Sequence, residues 1–345
     1  MEEKELKAQG NEIEKIFKAM DIHCCLKKCT SNELATKFEF NLKNLADFKK
    51  IKKAIEVIRI CTHKDISQIE SETYHFAVEI KKDSKILGLV DYNNKYDIEN
   101  KYCALLGVDT NNKPIMFDLK KSIHTLISGA TGMGKTSILN NIIYALTNKN
   151  SKKELEIYLI DIKKTLSIWN GLPHIKNEQI EDVYDALDTL EEISDIMEKR
   201  LDILASKKIS KAKDGMFSHI VVIIDELADL MLSGHKKDTE EEITHIAQLG
   251  RAVNISLIIA TQNPIVKVCT SLIKANCPTR IALKTVSSTD SMNILGNKHA
   301  FELDGTGNAI IRSADNPTEY KFKACFLTDD EIKQYLKGRK KHVAD

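Results

Sequence analysis

Hydrophobic positions recur along the chain with two different periods, and the switches between them outline its elements. Ile13, Ile16, Phe17 and Met20 fall three or four residues apart, which predicts a short amphipathic helix. Apolar or alternating runs near Ile22–Cys29 and Ala35–Phe40 read as strands. Leu45, Phe48, Ile51, Ile55 and Ile58 mark a second helix, and Tyr74–Ile80 alternates as a further strand. This order predicts a small α+β domain over residues 11–90, behind a polar, disordered tail at 1–10. The polar stretch Asp83–Lys101 breaks the periodicity, and the connection between two domains is placed at residues 91–101.

From residue 102 to 338 strands and helices alternate. Tyr102–Val108 and Pro114–Leu119 read as a hairpin around Asp109-Thr110-Asn111-Asn112, and Leu126-Ile127 as a short strand before a helix carrying Ile138, Leu139, Ile142, Ile143 and Leu146. Strands follow at Leu155–Ile160, His219–Ile224, Ile255–Thr261, Cys277–Lys284 and Asn308–Ile311, separated by helices at Glu181–Ala205 and Glu240–Val253 and closed by a helix at Asp329–Leu336. Such alternation predicts an α/β domain built on a mainly parallel sheet, with its ligand loops at the carboxyl edge of the strands. Residues 339–345 are left as a tail.

Chemistry concentrates at the strand ends. Gly129-Ala130-Thr131-Gly132-Met133-Gly134-Lys135-Thr136 fits G-x-x-x-x-G-K-[ST] and lies between a strand and a helix. In that setting backbone N–H groups and the positive helix end face phosphate oxygens, Lys135 reaches the β- and γ-phosphates, and the Thr136 hydroxyl ligands Mg²⁺. Ninety residues past Lys135, five β-branched residues, Ile220 to Ile224, end in Asp225-Glu226, a Walker B pattern. Asp225 is the expected Mg²⁺-shell ligand and Glu226 the group that polarises the attacking water. ATP and Mg²⁺ are therefore the expected cofactors. Gln262, at the end of a third buried strand, is placed to touch the γ-phosphate or its water. Arg251 reads either as a surface charge acting in cis or as an arginine finger acting in trans.

Composition adds limits. The 345 residues carry 51 basic and 50 acidic side chains, so a polyanion must be gripped locally rather than by a global field. No run of 18 apolar residues occurs and the N-terminus is charged, so a membrane span and a signal peptide are not expected and the location is read as cytoplasmic. Eight cysteines without paired C-x-x-C spacing fit free thiols in a reducing compartment; His23-Cys24-Cys25 with Cys29 is too incomplete for a metal site.

The motifs resemble those of the FtsK/SpoIIIE family of DNA-translocating ring ATPases. The likeness runs from about Asn11 to Gly338. It rests on Gly129–Thr136, Ile160-Asp161-Ile162-Lys163, Gly171-Leu172-Pro173-His174, Met197-Glu198-Lys199-Arg200, Ile224–Met231, Ala260-Thr261-Gln262-Asn263-Pro264 and Leu272–Ala282. The resemblance implies an α subdomain followed by a RecA-like β subdomain, a homo-oligomeric ring, usually a hexamer, with ATP between subunits, and double-stranded DNA in the channel. It places Arg251 as the trans finger and Lys274 as a channel-loop contact to the DNA backbone. Two departures stand out: Asn263 and Met292 occupy positions where the family commonly has arginine, so either Lys274, Lys284 and other lysines carry the grip or the pore handles DNA weakly. The membrane-spanning N-terminus and C-terminal winged helix of chromosome-segregation members are not recognised, so no sequence-read direction of travel is expected. Anchoring then requires a membrane or relaxase-type protein partner. These features imply a DNA motor of plasmid, mobile-element or phage transfer or segregation. The competing reading is a coupling or recruitment ATPase of a secretion or conjugation machine, acting on protein partners without tracking DNA.

Overall fold

Amphipathic periodicity at the start of the chain becomes α1 (Glu3–Ala19), and the segment expected as a disordered tail forms its first turns. Residues 1 and 2 lie outside the described part: the computed structural model describes residues 3–31, 35–62, 66–72, 74–82, 86–96, 98–177 and 180–341. Lys and Glu are good helix formers, and Glu14 fixes the helix to the first strand by accepting the Leu26 N–H at 2.8 Å. The chain divides into two compact units, Met1–Ile86 with Thr110–Asn112, and Leu87–Asp109 with Lys113–Asp345.

In the first unit α1 is followed by β1 (Cys24–Ser31), β2 (Ala35–Leu42), α2 (Phe48–Thr62), β3 (Ile66–Glu72) and β4 (His75–Lys81). The strands form an antiparallel sheet in the order β1-β2-β4-β3. Alternation turns Phe38, Phe40, Phe76 and Val78 inward, where they meet Phe17 of α1 and Ile51, Ile55 and Ile58 of α2. The Phe17, Phe40 and Phe76 rings contact one another at 5.2–5.4 Å.

The second unit opens with β5 (Leu87–Gly88) and α3 (Leu89–Lys95). The expected connection at 91–101 is thus helical at its start: Leu89 and Tyr92, three residues apart, are both buried, and Asp91, Asn93 and Asn94 beside Tyr92 mask the period. Asp83–Lys85 and Asp97, also assigned to that polar stretch, lie outside the described residues. Then come β6 (Cys103–Val108), β7 (Pro114–Asp118), α4 (Leu119–Ser122), β8 (Thr125–Ser128), α5 (Lys135–Lys149), β9 (Leu155–Ile160), α6 (Val183–Ser206) and β10 (His219–Ile224). They are followed by α7 (Leu227–Met231), α8 (Lys236–Leu249), β11 (Ile255–Thr261), α9 (Ser271–Asn276), β12 (Thr279–Leu283), α10 (Ser288–Leu295), β13 (Asn308–Ser313), β14 (Asn316–Phe326) and α11 (Asp329–Lys341). The sheet order is β7-β6-β14-β13-β12-β8-β11-β10-β9, with β5 beside β14.

The α/β class and the parallel sheet follow the sequence expectation. From β9 to β12 every pairing is parallel, and β13, β14, β6 and β7 extend the sheet through antiparallel pairs. β8, β10 and β11 are buried along their whole length, as their continuous apolar runs require of strands covered on both faces. Each buried Ile or Val there contributes about 1.5–3 kcal/mol of gross burial. The strand ends are consequently a rigid base for the loops that follow. At the other end of the chain α11 continues past residue 338, because Arg339 donates to the Thr147 and Asn148 carbonyls at the end of α5; residues 342–345 of the expected tail lie outside the described part.

Candidate functional site

β8 lies between β11 and β12, and the loop 129–134 leaves its carboxyl end to enter α5. Gly134 caps α5 with φ +107, a left-handed conformation that a side chain rarely adopts. At Gly129 a Cβ would stand 2.7 Å from the Leu283 Cβ, so only glycine lets the loop pass β12. Two backbone bonds fix its course: Ala130 N–H to the Lys284 carbonyl at 2.8 Å, and Gly307 N–H to the Met133 carbonyl at 2.8 Å. The α5 N-terminus beneath this loop is a ready receptor for phosphate oxygens.

Lys135, the first residue of α5, is 4% exposed and reaches across to the end of β10. Its Nζ donates to the Asp225 carbonyl and lies 3.4 Å from Asp225 Oδ1 and 3.6 Å from Glu226 Oε2. Asp225 Oδ2 accepts from Thr165 Oγ1 at 2.7 Å, whereas the buried Oδ1 has no hydrogen-bond donor. Glu226 is strapped in place. Its carboxylate accepts Thr261 Oγ1 at 2.6 Å, Gln262 N–H at 2.9 Å and, as the cap of α7, Ala228 N–H at 3.3 Å. Gln262 in turn accepts the Thr131 hydroxyl through Oε1 at 2.5 Å, joining the β11 end to the phosphate loop.

The donor set suits a hard divalent cation. Asp225 Oδ1 is a buried carboxylate oxygen without a donor, and the Thr136 hydroxyl stands at the second residue of α5. All-oxygen ligands with room for phosphate oxygens and water are what Mg²⁺ takes. No group of three or more His, Cys, Asp or Glu among the described residues is placed to hold a metal by itself.

Two residues not foreseen as part of the site lie beside it. Asp161, after β9, accepts Leu166 N–H at 2.6 Å and Thr165 Oγ1 at 3.3 Å, so Thr165 bridges it to Asp225. Burial raises the Asp161 pKa, with a further push from the Asp225 charge. The signal was a carboxylate ending a buried strand, as in Walker B. Lys163 pairs with Asp229 of α7 at 2.8 Å.

Arg251 is not brought to this site. It sits in the 3₁₀ turn Gly250–Val253, just before β11, whereas Gln262 follows the other end of the same strand. Seven residues at about 3.3 Å each separate the two by roughly 20 Å, so Arg251 is exposed at the amino edge of the sheet and the nucleotide residues are at the carboxyl edge. Its turn is held by Arg200, buried in α6, which donates to the Ser218 and Val253 carbonyls at 2.9 Å. Lys274 also lies away from the phosphate loop, half-buried on α9, and its carbonyl accepts from the buried Arg280. Lys284 is tied to the Leu303 carbonyl at 2.8 Å beside the phosphate loop, which removes it from the set of free cations.

Comparison with known proteins gives one consistent result. A model of the FtsK/SpoIIIE family matches residues 92–217 and 210–266. A DNA translocase FtsK of Oceanobacillus iheyensis is 32% identical over 358 residues, covering 97% of this chain and 46% of that protein. Another, from Borreliella burgdorferi, is 39% identical over 249 residues, covering 68% of this chain and 32% of that protein. The chain thus spans about a third to a half of the length of these relatives. Among solved structures, the pCW3 conjugation coupling protein TcpA, in monomer form with ATPγS, superposes with a TM-score of 0.66 at 25% identity over 96% of this chain and 99% of that one.

Proposed function

The chain belongs to the FtsK/SpoIIIE family, and from that premise we propose that it is the ATP-hydrolysing motor of a double-stranded DNA translocase that works as a homo-oligomeric, hexameric ring. The observation that carries this reading is the separation of Arg251 from Lys135, Asp225, Glu226 and Gln262 on opposite edges of one sheet. A subunit that holds its nucleotide at one edge and its arginine at the other is completed by a second copy.

In this mechanism the phosphate loop and the α5 N-terminus bind the triphosphate, and Lys135 turns from the Asp225 carbonyl to the β- and γ-oxygens. Thr136 and Asp225 would hold Mg²⁺, which would neutralise phosphate charge when bound. Glu226 accepts a proton from the attacking water and keeps its orientation through Thr261 and the Gln262 N–H. Arg251 of the adjoining copy balances charge on the transferring phosphoryl group, a contribution of about 10³–10⁵ in kcat for arginine fingers. Loss of the γ-phosphate changes the Thr131–Gln262 link and so the segment beyond β11, which leads to α9 and Lys274. Lys274 then contacts DNA phosphates without reading bases.

No helix among the described residues is long and apolar enough to cross a membrane. The proposed motor acts in the cytoplasm and meets a membrane or a relaxase-type protein through a partner. Plasmid, mobile-element or phage DNA is the proposed cargo. The test is steady-state ATP hydrolysis with and without long duplex DNA at rising salt, with Lys135→Ala as blank; stimulation that falls with salt supports the motor.

A second reading is a coupling ATPase that acts on protein partners without tracking DNA. It is favoured by Asn263 and the 47%-exposed Met292, which replace expected phosphate contacts, and by the likeness to a conjugation coupling protein. Hydrolysis indifferent to DNA in the same assay selects it.

A further inference from the structure

Arg251 does not stand alone at the amino edge. It lines a cavity of about 270 Å³ together with Lys120, Lys211, Asp214, His219, Asn254 and Ser256. That is smaller than a whole-ligand pocket and leaves room for a phosphate-sized group. Three cations face one carboxylate there, and Asp214 is already bonded to Lys120 at 2.8 Å.

The cations are mounted rather than merely nearby. The Lys211 loop is joined to the Arg251 turn by the Ala212 N–H, which donates to the Ala252 carbonyl at 2.8 Å. Arg200 clamps the other side of that turn at Val253. Lys120 lies 4.6 Å from the centre of the Tyr102 ring, which packs on the His219 imidazole at 5.5 Å. His219 Nε2 and the Ser256 hydroxyl share a hydrogen bond at 2.9 Å. Burial and nearby cations push His219, and His124 behind it, down to about 4. The positive charge of the cavity therefore resides in Lys120, Lys211 and Arg251 rather than in His219.

We propose that this cavity is the receiving half of the intersubunit nucleotide site, in which Lys211 and Lys120 join Arg251 in binding the β,γ-phosphate end of ATP held by a neighbouring copy. The proposal deepens the ring reading and rests on it. A charge-assisted bond from an ammonium to phosphate changes an equilibrium by about tenfold or more, so each lysine is a significant share of the trans contribution. Both lysines are exposed in the isolated chain, so their truncation leaves the fold intact.

The experiment is a mixing assay with full-length Lys211→Ala, Lys120→Ala and Lys211→Arg chains. Homogeneous Lys211→Ala is expected to lose about tenfold in kcat, Lys120→Ala a comparable amount, and Lys211→Arg much less. Adding an excess of Lys135→Ala chains, which present an intact cavity but hydrolyse nothing, should restore turnover per Lys211→Ala subunit. Native turnover in both alanine variants while Arg251→Ala is inactive would overturn the three-cation site and leave the ring reading standing. Native turnover in Arg251→Ala itself would sink that reading. A Lys211→Ala defect that no mixture rescues would place the lysine's role in its own subunit and contradict the proposal. Titration of monomeric Lys135→Ala with inorganic phosphate separates the remaining source of the same chemistry: tight uptake lost in Lys135→Ala/Lys211→Ala would assign the cavity to a free anion instead.

Discussion

Replacing Lys135 by Ala should do more than abolish nucleotide binding; it should destabilise the protein in the absence of any nucleotide. The ammonium is buried between two buried carboxylates, 3.4 Å from Asp225 Oδ1 and 3.6 Å from Glu226 Oε2, and it also donates to the Asp225 carbonyl. At an effective dielectric of about 20, each contact is worth roughly 5 kcal/mol of gross attraction, most of it offset by desolvation. Removing the cation leaves two like charges buried with hydrogen bonds from Thr165, Thr261 and backbone N–H groups as support, and loss of one partner from a buried pair costs about 3–5 kcal/mol. For a unit of this size, 3 kcal/mol corresponds to a fall of about 6–12 °C in midpoint. Thermal unfolding of nucleotide-free Lys135→Ala measures this directly, and adding Glu226→Gln in the same chain should recover part of the loss by removing one of the stranded charges. A Lys135→Ala midpoint within about 2 °C of the native protein would refute the buried triad as described.

Glu226→Gln keeps the strap to Gln262 but removes the base, so ATP should bind with near-native affinity and turn over at least about 100-fold more slowly, as read by fluorescent-nucleotide titration beside phosphate release. Arg200→Ala removes the clamp on the Val253 carbonyl and should lower kcat with little change in nucleotide affinity, and excess Lys135→Ala chains should rescue it if the defect lies in presenting Arg251 to a neighbour. Acid should destabilise the protein early. His124 and His219 titrate near 4 when folded and near 6.5 when unfolded, so the unfolded chain takes up more protons below pH 6.5 and stability falls as pH drops towards 4. Each histidine contributes up to about 1.4 kcal/mol per pH unit, and urea midpoints that stay flat from pH 7 to 5 would contradict their burial.

The sequence made the nucleotide half of the site legible because its signals are local. Gly129, Gly134 and Lys135 are contiguous with a strand and a helix, and Ile220–Ile224 leave no alternative to a buried strand ending in Asp225 and Glu226. Other parts depend on chain segments that meet only in space. Thr165 gains its role by bridging Asp161 and Asp225 across 64 residues of sequence. Arg200 gains its role from the Ser218 and Val253 carbonyls, which precede β10 and β11 and meet its guanidinium only in the folded chain. The cis-or-trans question for Arg251 turns on sheet polarity, which no local pattern carries: β11 runs from the arginine to Gln262, and the proposed trans role rests on that separation. Short or polar elements are the least legible: α3 sets Tyr92 beside Asp91, Asn93 and Asn94, and the polar, exposed first half of β14 disguises a strand that pairs on both sides.

The central claim is movement along duplex DNA driven by ATP. Its most direct measurement is displacement of a triplex-forming strand from duplexes of increasing length, with Lys135→Ala, Arg251→Ala and Lys274→Ala beside the native chain. A translocating ring strips the third strand only with hydrolysable ATP, after a lag that grows with the distance to be travelled, and loses this in all three variants. Native chains that hydrolyse ATP yet leave the triplex intact at every length would contradict the account and favour the protein-coupling reading.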